Sequence, residues 1–301
     1  MSKYNLIATT TFGLEAIVKR EIINLGFENI SVLDGRVSFS GDETAIAKAN
    51  LWLRSSDRVL LNIGEFKATS FEELFEKTKA LNWDEIIPKD GKFTVTGKSI
   101  KSQLFSVPDC QAIVKKAVVE KLKLKYDVDW FEETGAEYKI QVALLKDIVT
   151  LTIDTTGAGL HKRGYRDTAL TAPLKETLAA ALIDLSYYKK DKILIDPLCG
   201  SGTIPIEAAL IAKNIAPGLK RTFVSEEWDI IPKKVWKDVR SEAKDLIDND
   251  TNIRIYGSDI DTAAIKIAKQ NAIKAGVADC IEFEVKPMSD IVLNEDFGVI
   301  I

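Results

Sequence analysis

The densest chemistry in this 301-residue sequence lies at Asp196-Pro-Leu-Cys-Gly-Ser-Gly-Thr203. An apolar run, Lys192 to Ile195, precedes it and reads as a buried parallel strand. A stretch of helical composition, Ile204 to Ala212, follows. A strand that turns through small residues into a helix gathers backbone N–H groups and the positive helix end at one point, where an anionic group of a ligand can settle. Gly200 and Gly202 are expected to clear the Cβ atoms that would hold such a ligand off the backbone. Pro205 falls in the first helical turn, where its missing N–H costs nothing. Asp196, Cys199, Ser201 and Thr203 complete this candidate site. Two familiar glycine loops do not fit. A Walker loop needs Gly-Lys-Ser/Thr, whereas Gly202 is followed by Thr203-Ile204. The dinucleotide fingerprint needs a third glycine that is missing here.

A second acid stands at a second strand tip. Ile253-Arg-Ile-Tyr-Gly-Ser-Asp259 reads as a parallel strand, and Asp261 to Asn271 as the helix after it, with Asp261 placed to cap it. In nucleotide-binding α/β folds an acid at this tip accepts bonds from ribose hydroxyls, which assigns Asp259, with Ile260 beside it. Ile281 to Val285 is a third strand, followed by Lys286-Pro-Met-Ser-Asp290.

Composition narrows the chemistry. The only histidine is His161, so histidine-based metal binding and Ser-His-Asp catalysis are disfavoured. Cys110, Cys199 and Cys280 are scattered, with no Cys-x-x-Cys, which argues against a disulfide framework and a zinc site. The N-terminus lacks the apolar core of a signal peptide and no apolar run reaches membrane-span length, so a cytoplasmic location is expected. The net charge of −4 hides an uneven distribution. Residues 89–125 carry nine lysines against three acids, a basic strip suited either to a phosphate backbone or to plain solvation of a helix face.

The elements that must position these groups can be followed in order. Residues 4–10 alternate as a strand, Gly13 to Leu25 has helical spacing closed by Gly26, and Asp34-Gly35 joins two strand-like runs as a hairpin. A helix over Glu43 to Arg54 and a strand over Val59 to Ile63 complete a pattern close to ferredoxin-like. Phe71 to Leu81 and Pro108 to Leu124 read as helices, Phe93 to Thr96 as a strand, and Tyr138 to Ile153 as a second hairpin about Lys146-Asp147. Gly157, Gly159 and Gly164 mark a flexible crossing between domains. Pro173 is expected in the first turn of a helix running to Leu185. Trp236, Val239, Ala243 and Leu246 have the spacing of a core-packing helix face, which explains them without a functional role.

The Asp196–Thr203 stretch resembles motif I of the class I S-adenosylmethionine-dependent methyltransferases, in the form found in enzymes that methylate exocyclic nitrogens of nucleobases. Leu160-His-Lys-Arg-Gly-Tyr-Arg166, followed by Ala172-Pro-Leu-Lys-Glu-Thr-Leu-Ala179, looks like the signature preceding motif I in THUMP-containing guanine methyltransferases. The N-terminal half resembles a THUMP domain with its ferredoxin-like partner, an RNA-binding module. Taken whole, the chain is similar to the bacterial large-subunit ribosomal RNA guanine-N2 methyltransferases in their single-methyltransferase form.

The resemblance implies an α/β fold: a Rossmann-like methyltransferase domain at 172–301, preceded by an α+β region. That region divides into a ferredoxin-like unit at 1–65 and a THUMP RNA-binding domain at 66–156, with a linker at 157–171. It implies S-adenosyl-L-methionine as cofactor, held by Asp196, Cys199, Gly200, Ser201, Gly202, Thr203, Asp259, Ile260 and Met288, with Pro173 and Lys175 covering it from the side. Either Asp290 or backbone groups near Met288 would meet the adenine. RNA, foremost 23S ribosomal RNA, would lie along Lys98, Lys101, Lys115, Lys116, Lys162, Arg163 and Arg166, and no metal is called for.

Phe297-Gly-Val-Ile-Ile301 reads as a fourth buried strand. In the family that strand leads into an Asn/Asp-Pro-Pro-aromatic motif holding the target amino group. The sequence is therefore expected to be part of a longer protein, with its catalytic residues beyond Ile301. Three functions stay open: a 23S ribosomal RNA guanine-N2 methyltransferase, a transfer RNA enzyme of the same architecture, and a non-catalytic RNA-binding protein.

Overall fold

The computed structural model describes residues 4–166, 173–249, 252–291 and 297–301. Its first half is one seven-stranded sheet. β1 (Tyr4–Thr9), α1 (Glu15–Asn24), β2 (Glu28–Leu33), β3 (Arg36–Gly41), α2 (Glu43–Trp52) and β4 (Arg58–Lys67) form the first unit. Gly26, one residue past the α1 cap, takes φ +80°, and Gly35 at the hairpin tip takes φ +71°. Strand order β2-β3-β1-β4 is ferredoxin-like. α3 (Phe71–Lys79), β5 (Lys92–Ile100), α4 (Val107–Tyr126), β6 (Glu137–Leu145) and β7 (Ile148–Asp154) follow, and the sheet continues β4-β7-β6-β5.

β4 is twice the length its sequence suggests because it serves both units. On one side its first half, Arg58 to Asn62, pairs with β1; on the other, β7 runs along it from Leu60 to Lys67, with a register shift between Asn62 and Gly64. The boundary expected at residue 65 thus falls inside a continuous strand. α1 and α2 bury Val18, Ile22, Ile46 and Leu51 over this sheet.

The second half contains α5 (Glu176–Leu185), β8 (Ile193–Asp196), α6 (Thr203–Ala212), α7 (Lys233–Asp245), β9 (Ile255–Asp259), α8 (Thr262–Ala275), β10 (Ile281–Val285) and β11 (Gly298–Ile300). Its four strands are parallel in the order β10-β9-β8-β11. The order reverses at β8, and in open α/β sheets ligands bind outside the carboxyl ends of the strands at such a point. β11 pairs with β8 alone among the described strands. Pro173 sits two residues before the α5 cap, Lys175, so it leads into the helix rather than forming its first turn.

The segment between α6 and β9 folds back onto the other half. Trp228 stacks on Tyr138 with ring centroids 4.8 Å apart, and its indole N–H donates to the Glu137 carbonyl. Phe223 stacks on Trp236, and both belong to the core of the seven-stranded sheet. The spacing of Trp236, Val239 and Ala243 indicates core packing and they are buried, whereas Leu246, expected on the same face, is 50% exposed; that the core is the other half's could not be read from the spacing. Burying two indoles across the joint contributes several kcal/mol to holding the halves together.

Candidate functional site

Asp196 ends β8 and is buried, and its Oδ1 accepts from the Leu198 N–H at 3.2 Å. Burial pushes its carboxyl up to about 6, with the nearby Asp259 carboxylate adding to the effect. The chain then turns into α6, with Gly200 at φ +51° and Gly202 at φ +80°. The Cys199 N–H donates to the Ser258 carbonyl at 2.9 Å, tying this turn to β9, and the buried Asn271 side chain donates to the Ser201 carbonyl at 3.0 Å. Burial also pushes the Cys199 thiol up, so it is no thiolate nucleophile at neutral pH.

Asp259 lies at the neighbouring strand tip and binds the turn directly. Its Oδ2 accepts from the Gly200 N–H at 2.9 Å and its Oδ1 from the Asp261 N–H at 3.0 Å. Each oxygen keeps a second lone pair for a ligand hydroxyl. Asp261 performs the capping, accepting from the Ala263 N–H at 2.8 Å. Leu198, Ile260 and Met288 are exposed apolar residues near the tips of β8, β9 and β10. Asp290, in the short turn of 3-10 helix after β10, is exposed and accepts from the Ser289 hydroxyl.

The two glycines differ in role. A Cβ on Gly202 would lie 3.0 Å from Ala268 on α8 and 3.0 Å from Phe283 on β10. Gly202 therefore serves a left-handed cap and close helix–sheet packing, not ligand approach as expected.

The cations expected to meet RNA separate into two groups. Lys98, Lys101, Lys116 and Lys162 are exposed. Lys115 is partly committed, pairing with Glu133 at 2.9 Å and donating to the Phe93 carbonyl. Arg163 and Arg166 face inward and are withdrawn as RNA contacts. Arg163 is 3% exposed, donates to the carbonyls of Leu160 and Arg54, and pairs with Glu207 at 3.6 Å. Arg166 bonds the Thr203 hydroxyl and pairs with Glu176 at 3.3 Å. The crossing that carries them is packed rather than flexible, with Leu160 and Tyr165 buried. A charged, glycine-bearing run reads as solvated until its partners are known. Asp167 to Ala172 lie outside the described residues.

Sequence reasoning passed over two further residues. Glu207 is fully buried, and its Oε1 accepts from the Tyr165 hydroxyl at 3.0 Å. It is the lone charge in the otherwise apolar α6, which was the available signal. Phe105 is 82% exposed in the loop between β5 and α4, a loop that Asp147 holds through the Gln103 N–H at 2.7 Å. An aromatic in a lysine-bearing loop was its signal. Among the described residues there is no group of three or more metal-ligating side chains, and no helix is long and apolar enough to cross a membrane.

Comparison with known proteins matches three family models in series along the chain. These are an RlmL ferredoxin-like domain at 5–60, a THUMP domain at 68–154, and an RMKL-like methyltransferase domain at 163–301. The candidate RNA methyltransferase YpsC of Bacillus subtilis (strain 168) is 54% identical over 303 residues, covering 100% of this chain and 78% of its own. A Listeria monocytogenes protein, described as a predicted N6-adenine-specific DNA methylase, superposes with a TM-score of 0.97 at 55% identity, covering 100% of this chain and 79% of its own. SMU.472, a candidate methyltransferase crystallised with S-adenosylhomocysteine (SAH), superposes with a TM-score of 0.95 at 44% identity, covering 100% and 80%. With this series of domains and these relatives, the chain belongs to the THUMP-containing class I RNA methyltransferases, whose cofactor is S-adenosylmethionine.

Proposed function

We propose that the protein transfers a methyl group from S-adenosylmethionine to the exocyclic N2 of a guanine in 23S ribosomal RNA. We take it as a ferredoxin-like unit and a THUMP unit that share β4 and together run to 156, and a methyltransferase unit at 172–301, joined by 157–171. One observation carries the cofactor assignment: two carboxylates at adjacent strand tips flank a glycine turn, and one of them bonds the turn's backbone. The residues present fit a cationic ligand. Asp196 is a buried carboxylate that no cation faces among the described residues, and its raised pKa marks a site wanting positive charge.

When bound, the cofactor supplies an electrophilic methyl group on a positively charged sulfur. Asp196, Cys199, Gly200, Ser201, Gly202 and Thr203 would form the floor of its site. Asp259 would accept ribose hydroxyls, Ile260 and Met288 would flank the adenine, and Pro173 and Lys175 would close the side. Catalysis in such a site is chiefly orientation of the amino nitrogen toward the methyl carbon, and the target base would be flipped out of its stack to get there. Lys98, Lys101, Lys116 and Lys162, with Lys115 partly free, would hold the RNA backbone, and Phe105 offers a face on which an unpaired base can stack.

Guanine N2 and the ribosomal substrate are supported by the RlmL and RMKL likeness of the flanking units and by the form of the Asp196–Thr203 turn. The Listeria neighbour's name points instead to adenine N6 in DNA, whereas the THUMP unit favours RNA. Methyl-labelled cofactor, incubated with the protein and with ribosomal RNA, transfer RNA or DNA from cells lacking the gene, tests this after nucleoside digestion. Label in N2-methylguanosine from 23S RNA is expected. Label in transfer RNA would select the alternative substrate, and label in N6-methyladenosine would overturn the nucleobase assignment. No transfer by the full-length protein, in a sample that binds SAH, would favour a non-catalytic RNA-binding role.

A further inference from the structure

α6 leaves the glycine turn and is gripped twice on one face. Thr203 and Glu207 are one helical turn apart, so their side chains stack on the same side of the helix. The crossing 163–166 lies along that side. Arg163 and the Tyr165 hydroxyl meet the Glu207 carboxylate, and the Arg166 guanidinium bonds the Thr203 hydroxyl. Arg166 also reaches a second stretch of chain. It donates to the Leu174 carbonyl at 3.3 and 3.4 Å and pairs with Glu176 at 3.3 Å. One planar fork therefore joins the first residue of α6 to the segment leading into α5.

The arrangement is costly as mere packing. The Arg166 and Glu176 side chains are 11% and 5% exposed, and a buried ion pair seldom stabilises more than apolar residues of the same volume would. Burial pushes the Glu176 carboxyl up, and Arg166 opposes that shift. What the pair supplies is geometry: a guanidinium holds its acceptors in a fixed planar fork, whereas the three donors of an ammonium rotate freely on a flexible stem. Upstream, Arg163 donates to the Arg54 carbonyl, and Arg54 in turn donates to the Ile215 carbonyl at 2.9 Å, so the same crossing is anchored in the N-terminal half.

We infer that Arg166 is a positioning residue that holds two walls of the cofactor cleft in register: the glycine turn at Thr203 and the Leu174–Glu176 segment. The inference rests on the cofactor reading proposed above. It gives the crossing a mechanical role between the RNA-binding half and the cleft, in place of the RNA contact its charge suggested.

Two variants separate positioning from charge balance. Arg166→Met with Glu176→Gln removes both charges together, so a residue that only neutralised Glu176 would be dispensable in it. Arg166→Lys keeps the charge but loses the fork. Both are read by thermal midpoint, by hydrogen exchange of the Leu198–Thr203 amides, and by calorimetric titration with SAH. The expected result is a wild-type midpoint with amide exchange faster, and SAH affinity weaker, by about tenfold or more in the double variant. Arg166→Lys should move both readouts the same way, though less. Wild-type exchange and affinity in either variant would overturn the inference, as would losses that merely track a lowered midpoint in both. Asp259→Ala serves as the control on the underlying reading. If its SAH affinity equals wild type, the cofactor assignment fails, while the exchange measurement still decides whether Arg166 fixes the turn.

Discussion

Asp196 offers the most quantitative test of the site. Its carboxyl lies at about 6, against an ordinary value of 3.8. Desolvation is the main cause and the Asp259 carboxylate adds to it. Between those two values the native state holds a proton that the unfolded chain has released, so stability falls as pH rises from about 4 to about 6 and then levels off. Two pH units correspond to about 3 kcal/mol as an upper figure, since each unit is worth about 1.4 kcal/mol. Asp196→Asn keeps the oxygen that accepts from Leu198 and removes the charge. It should therefore leave stability unchanged near pH 4 and raise it by about 1–3 kcal/mol at pH 8. Urea midpoints of the ligand-free protein and the variant, compared at both pH values, measure this directly. Equal stability at pH 8, or a difference that does not vary with pH, would refute the picture of a buried carboxylate held without a counter-charge. The same reasoning gives a second arm. A cationic ligand should draw a proton off Asp196 when it binds near pH 6, and calorimetry in buffers of different ionisation enthalpy should show that release in the wild type and its loss in the variant.

Asp259→Ala should weaken SAH binding by about 1–3 kcal/mol through lost charge-assisted hydrogen bonds, and unchanged affinity would remove it from the site. Gly202→Ala should cost at least about 1 kcal/mol in unfolding experiments, because φ of +80° is strained for alanine and the added methyl meets Ala268 and Phe283. Trp228→Ala should cost about 3–5 kcal/mol by emptying the space beside Tyr138. Small-angle scattering of that variant should also show the two halves loosened; an unchanged profile and stability would mean the joint does not depend on this stack. Replacing Lys98 and Lys101 together by alanine should lower RNA affinity and flatten the slope of log affinity against log salt by about 2, without changing SAH binding.

Much of this could be read from local chemistry. Asp34-Gly35 fixed a hairpin because its tip needs a positive φ. Gly26 ended α1, and Asp261 capped α8, for equally local reasons. The Asp196–Thr203 turn announced a strand tip, a tight turn and a helix start within eight residues, and Asp259 followed from its place at the next strand tip. Misreadings arose where a residue's partner lies far along the chain. Charge alone cannot tell an arginine that faces solvent from one like Arg163, whose partners at Arg54 and Glu207 are 109 and 44 positions away. Gly202 looked like a ligand-facing glycine because the contacts that demand it, from Ala268 and Phe283, come from elements more than sixty residues on.

The sequence by itself determined the periodicities, caps and turns of the separate elements and the residue types at two strand tips, because those depend on neighbours within a helical turn or a hairpin. Tertiary structure decided which charges face water, which half the tryptophans bury against, and that the crossing grips α6 at Thr203 and Glu207. Those outcomes depend on what else is excluded from water at each point, and burial is a property of the packed chain rather than of any stretch of it.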